Sequence, residues 1–118
     1  MIGNGVDTVQ KFLDLTKYVY DCILKNCPRS EKYTYCADAR HSLWIIGGRL
    51  KRASVVYSKA DKLRLLESAD EDLSELRFMM EAGMELKLVP IEKYKQFCIK
   101  VTEVGKMLGG WLKYARQA

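Results

Sequence analysis

The chain has 118 residues, of which 48% are hydrophobic and 30% charged, and its formal net charge at pH 7 is +5. This composition excludes a disordered or fibrous protein, and the length predicts one domain, residues 1–118, around a single core. No apolar run approaches the roughly 20 residues of a membrane span, and the first ten residues lack the features of a signal peptide, so we expect a cytoplasmic protein.

The first helix is predicted from Asp7 to about Cys27. Asp7 is followed three residues later by Gln10, which favours a capped start, and Pro28 ends the segment because proline breaks a helix interior. The apolar residues that recur at helical spacing are Val9, Phe12, Leu13, Thr16, Val19, Tyr20, Ile23 and Leu24.

The second helix is predicted to begin at a Ser30 cap and to end near Tyr57. Its predicted buried face contains Tyr33, Cys36, Ala37, Leu43, Trp44, Gly47, Leu50 and Tyr57.

The third helix is predicted to start at Ser58, which can cap with Asp61, and to stop before Pro90, because proline disfavours helical geometry at Val89. Its apolar stripe has near-heptad spacing: Leu63, Leu66, Ala69, Leu73, Leu76, Met80 and Gly83 or Met84.

The fourth helix fills the remainder of the chain. Its apolar stripe consists of Tyr94, Phe97, Cys98, Val101, Val104, Gly105, Leu108, Trp111, Leu112 and Ala115. No segment alternates with the period of a strand, and short connections favour antiparallel neighbours. The sequence therefore predicts an all-α fold, an up-down-up-down antiparallel four-helix bundle.

Glycines interrupt the fourth helix at positions 105, 109 and 110. Each costs about 1 kcal/mol relative to alanine, so close packing must offset the loss. Gly105 and Gly109 lie on one side of the helix, beside a recess at Trp111. Gly105, Gly109 and Trp111 are candidates for an interface. Packing within the subunit and contact between subunits both remain open as explanations.

Charge is segregated along the chain. Residues 28–57 and 89–118 each carry a net charge of +4, whereas residues 58–88 carry −3. Clustered cations bind a polyanion by releasing its counterions, although such a face can also serve only solubility. The candidate nucleic-acid-binding residues are Arg29, Lys32, Arg49, Lys51, Arg52, Lys100, Lys106, Lys113 and Arg116.

Arg40 and Arg77 adjoin the apolar stripes of their helices, where a charge needs a partner. That partner could be an internal carboxylate such as Asp38, Asp70 or Glu81, a second subunit or polymerase, or a bound phosphate. Both arginines are therefore candidate interface residues.

The sequence offers little for catalysis. It lacks the phosphate-loop, dinucleotide, nucleophile-elbow and zinc-protease motifs, and it contains one histidine, His41. The acidic residues around Asp70 form a solvated face rather than a metal site. The four cysteines, at positions 22, 27, 36 and 98, have poor metal spacing and are expected to be reduced thiols. We predict neither enzymatic activity nor a metal or cofactor.

Three segments carry a family resemblance. CPRSEKYTYC, LSELRFMMEAGMELKLV and above all EVGKMLGGWLKYAR resemble the accessory variability determinant (Avd) proteins of diversity-generating retroelements. The likeness spans nearly the whole chain. Outside the EVGK and GGWL positions, the sequence also resembles small four-helix-bundle proteins encoded within ribosomal RNA intervening sequences.

The resemblance implies a homopentameric barrel that binds RNA and DNA with little sequence preference and associates with the reverse transcriptase of the element during mutagenic copying. Arg77, in LRF, and Lys106, in EVGK, are the two basic residues whose motifs match the family. The alternative is a structural or protein-interaction bundle without a nucleic-acid role.

Overall fold

The computed structural model describes residues 5–117, and four α-helices make up most of this range. They are α1 (Val6–Tyr18), α2 (Tyr35–Val55), α3 (Lys59–Glu85) and α4 (Ile91–Gln117). No strand occurs within the described residues. The predicted all-α class is confirmed, and the architecture is that of a helical bundle.

The first predicted helix is shorter than expected, and its cap is a different residue. α1 ends at Tyr18 and continues as a π-helical turn, Val19–Ile23, and a 3-10 turn, Leu24–Asn26. The N-cap is Gly5 in the left-handed region at φ 70°, and its carbonyl accepts a hydrogen bond from the Val9 amide. The predicted Asp7 cap is wrong.

α2 begins later than predicted and buries a different face. Ser30 lies in a 3-10 turn, Arg29–Glu31, and the N-cap of α2 is Thr34. The residues of α2 that are buried are Cys36, Ala39, Leu43, Ile46, Leu50 and Ala53. The predicted core residues Tyr33, Trp44 and Tyr57 are exposed. Two alanines at heptad positions admit a close neighbour, so the large aromatic side chains are not needed in the core.

The bounds and buried faces of α3 and α4 agree closely with those predicted from the sequence. The Ser58 hydroxyl accepts a hydrogen bond of 3.3 Å from the Asp61 amide, which confirms the predicted cap. α4 follows directly after Pro90, as expected. The buried residues are Leu66, Ala69, Leu73, Leu76, Met80 and Gly83 in α3, and Phe97, Val101, Val104, Leu108, Trp111, Leu112 and Ala115 in α4.

The helices enclose one hydrophobic core to which all four contribute. α1 packs against α2 and α4, and α3 packs against the same two helices. α2 and α4, which both carry a net positive charge, therefore each lie beside both the neutral α1 and the acidic α3. This placement decides which cations meet carboxylates.

A disulfide joins Cys27, in the connection after α1, to Cys36, in the first turn of α2. The two Cα atoms are 6.6 Å apart, within the range that a disulfide spans. The expectation of reduced thiols is wrong for this pair, because the 3-10 turns fold the nine-residue separation into a short distance. Cys22 and Cys98 are free thiols.

Candidate nucleic-acid interface

Five of the nine predicted nucleic-acid-binding residues are exposed cations without an ion-pair partner within residues 5–117. They are Arg29, Lys51, Arg52, Lys106 and Lys113. Lys51 and Arg52 are adjacent on α2, whereas Lys106 and Lys113 are two turns apart on α4. These charges are free to meet a phosphate.

Two further candidates lie over aromatic rings. The Lys32 ammonium is 5.6 Å from the centroid of the Tyr33 ring, and the Lys100 ammonium is 5.1 Å from that of Tyr18. The Tyr18 hydroxyl donates a hydrogen bond of 3.2 Å to the Lys93 carbonyl. Burial, with a smaller contribution from Cys22, raises the pKa of Tyr18 above its ordinary value. Such contacts orient an ammonium group without cancelling its charge.

The remaining two candidates pair with carboxylates of α3. Arg116 lies 3.2 Å from Glu67 at the surface, where an ion pair adds little stability. The Arg49 Nε and an oxygen of Asp72 are 3.1 Å apart and buried, but they are not aligned as a hydrogen bond. Arg49 is therefore partly neutralised by its neighbour, which separates it from Lys51 and Arg52 in the same short run.

Arg40 and Arg77 both donate to backbone carbonyl groups. Arg40 reaches the carbonyl of Lys32 at 3.1 Å, and Arg77 reaches that of Val101 at 3.3 Å. Within residues 5–117, neither forms an ion pair with any carboxylate. Of the alternatives, the internal carboxylate partner is not seen for either arginine within this range, and contacts with a second subunit, the polymerase or a phosphate stay open as predictions.

Gly105 and Arg77, two candidates from different helices, touch each other. A Cβ atom at position 105 would lie 2.6 Å from a terminal nitrogen of Arg77, so the missing side chain makes room for the guanidinium. The two residues share a surface groove of about 350 Å³ with Asp70, Thr102 and Lys106. The groove thus unites Arg77 and Lys106, which the sequence alone could not place side by side.

The other two interface candidates differ in their surroundings. Gly109 is exposed, and a Cβ atom there would meet nothing within 4 Å. Trp111 is only 2% exposed, and its ring lies so close to Gly5 that no side chain fits at position 5. Its indole N–H has no acceptor among the described residues. The neighbour of Trp111 is thus the start of α1, and the predicted interface role stays a prediction.

A comparison with protein families gives one match: a family described as bAvd-like matches residues 8–115. The chain belongs to the bAvd-like family. The match extends from α1 into the last turns of α4, and it confirms the family resemblance stated from the three sequence segments. A comparison with curated proteins found no match.

Sequence reasoning missed one exposed feature of this bAvd-like protein. The helical spacing predicts Trp44 in the core, yet 63% of it is exposed, and its ring lies 6.0 Å from that of Tyr20 at a tilt of 58°. A large aromatic residue at helical spacing is usually core, which explains the error. The signal that could have revealed it is the heptad of small and branched residues on the opposite side of α2.

Two features are absent from residues 5–117 of the bAvd-like chain. No helix there combines the length and hydropathy that a membrane crossing requires. No group of three histidine, cysteine or acidic side chains there is arranged to hold a metal ion.

Proposed function

We propose that this bAvd-like protein is a non-catalytic accessory subunit of a diversity-generating retroelement. In this role it binds template RNA and complementary DNA through its basic surface and associates with the reverse transcriptase in the cytoplasm. Membership of the bAvd-like family supports a role in a retroelement system. The other parts of the proposal rest on the charges of the subunit and on the resemblance.

The observation that carries the proposal is the set of unpaired cations on α2 and α4. Lys51, Arg52, Lys106 and Lys113 are exposed and have no carboxylate partner within the described residues, whereas most acidic residues belong to α3. Free cations release condensed counterions from a nucleic acid, and this release gives affinity with little sequence preference.

We also propose that the bundle is antiparallel and runs up-down-up-down. Between α2 and α3, Tyr35 meets Met79 whereas Arg49 meets Asp72, so residue numbers rise along one helix as they fall along the other. The contacts of α3 with α4 and of α1 with α4 show the same reversal of residue numbers. The pairs concerned are Arg77–Val101 and Glu67–Arg116 for α3 and α4, and Tyr18–Lys93 and Lys11–Glu103 for α1 and α4.

The resemblance further supports a homopentamer. A ring of five copies would present five basic surfaces to a single polyanion, and several weak contacts on one chain raise the overall affinity. A modest net charge of +5 per subunit would then suffice.

The test is binding of labelled RNA and DNA to the full chain at a series of salt concentrations. We expect affinity to fall steeply with salt, and we expect the Lys51→Glu/Arg52→Glu variant to bind far more weakly with a shallower salt slope. The matched control is Lys62→Glu/Lys87→Glu, which makes the same charge change on and after α3. Unchanged binding by the α2 variant would contradict the proposal.

The second candidate is a structural or protein-interaction bundle whose basic surface serves only solubility. The pairing of Arg49 with Asp72 and of Arg116 with Glu67 favours this second candidate, because these two cations are neutralised by carboxylates of their own subunit. It predicts no binding of RNA even at low salt. Coexpression with the reverse transcriptase followed by sizing tests the polymerase partner and the oligomer separately from nucleic acid.

A further inference from the structure

Trp44 is the largest side chain of α2, and it is mostly exposed. The ring of Tyr20, which is itself partly buried, lies against it at 6.0 Å between centroids and supports it from the α1 side. Tyr20 limits the rotation of the indole while leaving most of its surface open. An exposed aromatic ring that is held by a second ring is suited to contact with another flat group.

The same stripe of α2 carries cations and no carboxylate. Arg40 lies one turn before Trp44, and Lys51 lies two turns after it, so all three share one side of the helix. The only acidic residue of α2 is Asp38, about 120° around the helix axis from Trp44.

Arg52 reaches back toward the ring. Its guanidinium lies near Gly48, one turn after Trp44, where a Cβ atom would be 3.9 Å from a terminal nitrogen. Because residue 48 is a glycine, no side chain at that position separates the indole from the Arg52 guanidinium.

We propose that Trp44 stacks with an unpaired base of a single-stranded nucleic acid while Arg40, Lys51 and Arg52 hold the flanking phosphates. This inference rests on the proposed function and names its substrate class. Every base has a π-face, so stacking on an exposed indole tolerates any sequence. In a duplex the faces of the bases are already stacked on one another, so no base face is open for the indole to stack on.

A twofold contact between two copies is a poorer fit for this stripe. Its three cations would oppose the same three in a symmetric contact, because an isologous interface presents one surface to itself. Like charges that approach each other while losing water are costly. The cations instead favour a polyanionic strand. In the ring of five proposed above, a neighbouring copy would meet the stripe with a different surface, and the subunit number of Trp44→Ala tests that contact.

The experiment compares the full chain with Trp44→Ala and Trp44→Phe, using an unstructured RNA oligonucleotide and a duplex of the same length. We expect Trp44→Ala to lose at least about fivefold in affinity for the single strand and less than about twofold for the duplex, and Trp44→Phe to retain most of the affinity. The matched control is Phe78→Ala, which removes an aromatic ring that is 71% exposed on the acidic α3.

Tryptophan fluorescence gives a second readout. A base stacked on Trp44 is expected to quench its emission. Trp44→Phe should abolish that quenching, because the remaining tryptophan, Trp111, is buried and cannot stack with a base. Equal losses for strand and duplex, or the same loss in Phe78→Ala, would overturn the stacking while leaving the basic surface in place. A change in subunit number in Trp44→Ala would overturn it in favour of a contact between copies. Failure of the unaltered chain to bind either RNA would refute the proposed function itself.

Discussion

Two glycine-containing regions of the bundle differ in what surrounds them. Gly83, near the end of α3, is buried, and a Cβ atom there would collide with the Tyr35 hydroxyl and approach Val89. Gly109 and Gly110, in the exposed part of α4, have nothing within 4 Å of the position that a Cβ would occupy. The first glycine is explained by packing inside the subunit, whereas the other two gain no such compensation from their own chain.

Gly105 lies between these extremes. Its missing side chain leaves room for the end of Arg77, a flexible group that can move. The comparison therefore predicts a graded response to alanine, from a large loss at position 83 to a gain at position 109, and each substitution tests one step of it.

We expect the largest effect from Gly83→Ala. The new methyl would displace Tyr35, break its 2.7 Å hydrogen bond to the Met79 carbonyl and crowd Val89. Overpacking of this kind costs about 2–3 kcal/mol of unfolding free energy. Urea denaturation measures the loss, and Gly110→Ala is the matched control on an open helix surface. A cost of less than about 0.5 kcal/mol would mean that the crossing at Gly83 is looser than described.

Tyr35→Phe tests the contacts of the same region through the pH dependence of the unfolding free energy. Burial raises the pKa of Tyr35 to about 12 from 10.0, so the folded state holds the proton longer than the unfolded state. The stabilisation is complete below pH 10 and is lost as pH rises to about 12. We expect Tyr35→Phe to lose about 1 kcal/mol at neutral pH and to reduce the alkaline decline in stability.

Tyr94 is expected to contribute to the same decline in stability at alkaline pH, so Tyr94→Phe is measured beside Tyr35→Phe. A hydrogen bond between the side chains of Tyr94 and Cys98, assisted by burial, raises the pKa of Tyr94 to about 12 as well. Each single variant should therefore keep part of the decline between pH 10 and 12, and the double variant should keep less. An identical decline in wild type and Tyr35→Phe would contradict the assignment.

Gly105→Ala should cost no more than about 1 kcal/mol, because the end of Arg77 can shift at the expense of its 3.3 Å bond to the Val101 carbonyl. The decisive comparison is a double-mutant cycle with Arg77→Ala. Without the guanidinium, Gly105→Ala should become neutral or stabilising through the better helix propensity of alanine. Thermal denaturation of the four proteins measures the coupling, and an absence of coupling would count against the contact.

The smallest expected effect is a gain from Gly109→Ala. Within the subunit the methyl enters open space, so the substitution should raise the unfolding free energy by roughly 0.5–1 kcal/mol. The check is the melting temperature together with light scattering. If the variant is instead less stable and its assembly dissociates, another copy occupies that space, as the predicted interface role requires.

The ease of prediction differed between helices for a physical reason. α3 and α4 have long apolar stripes and clear boundaries at Ser58 and Pro90, so local pattern was sufficient for both. In α2 the core positions are small at both ends of the stripe, Cys36 with Ala39 and Ala53, and side-chain size alone indicates the wrong side, with Trp44 inside. The π-helical turn after Tyr18 leaves no recognisable pattern in the sequence.

The candidate interface shows the same division. The sequence shows the nine candidate cations and their separation along the chain from the acidic third segment. It could not show that Arg49 meets Asp72 while its neighbours Lys51 and Arg52 stay unpaired. These two residues lie about 160° and 60° from Arg49 around the helix axis, and the sequence does not say which direction faces α3. It also could not bring Arg77 to Gly105 across two helices.

The sequence alone determined the helical class, the core stripes of α3 and α4, the charge of each segment and the family, because these depend on residue type and spacing along one chain. Only the tertiary structure decided which cations stay unpaired, which glycines face a neighbour, and that Trp44 lies outside the core. Each of these depends on distances of a few ångströms between residues far apart in the chain, and helical periodicity carries no information about them.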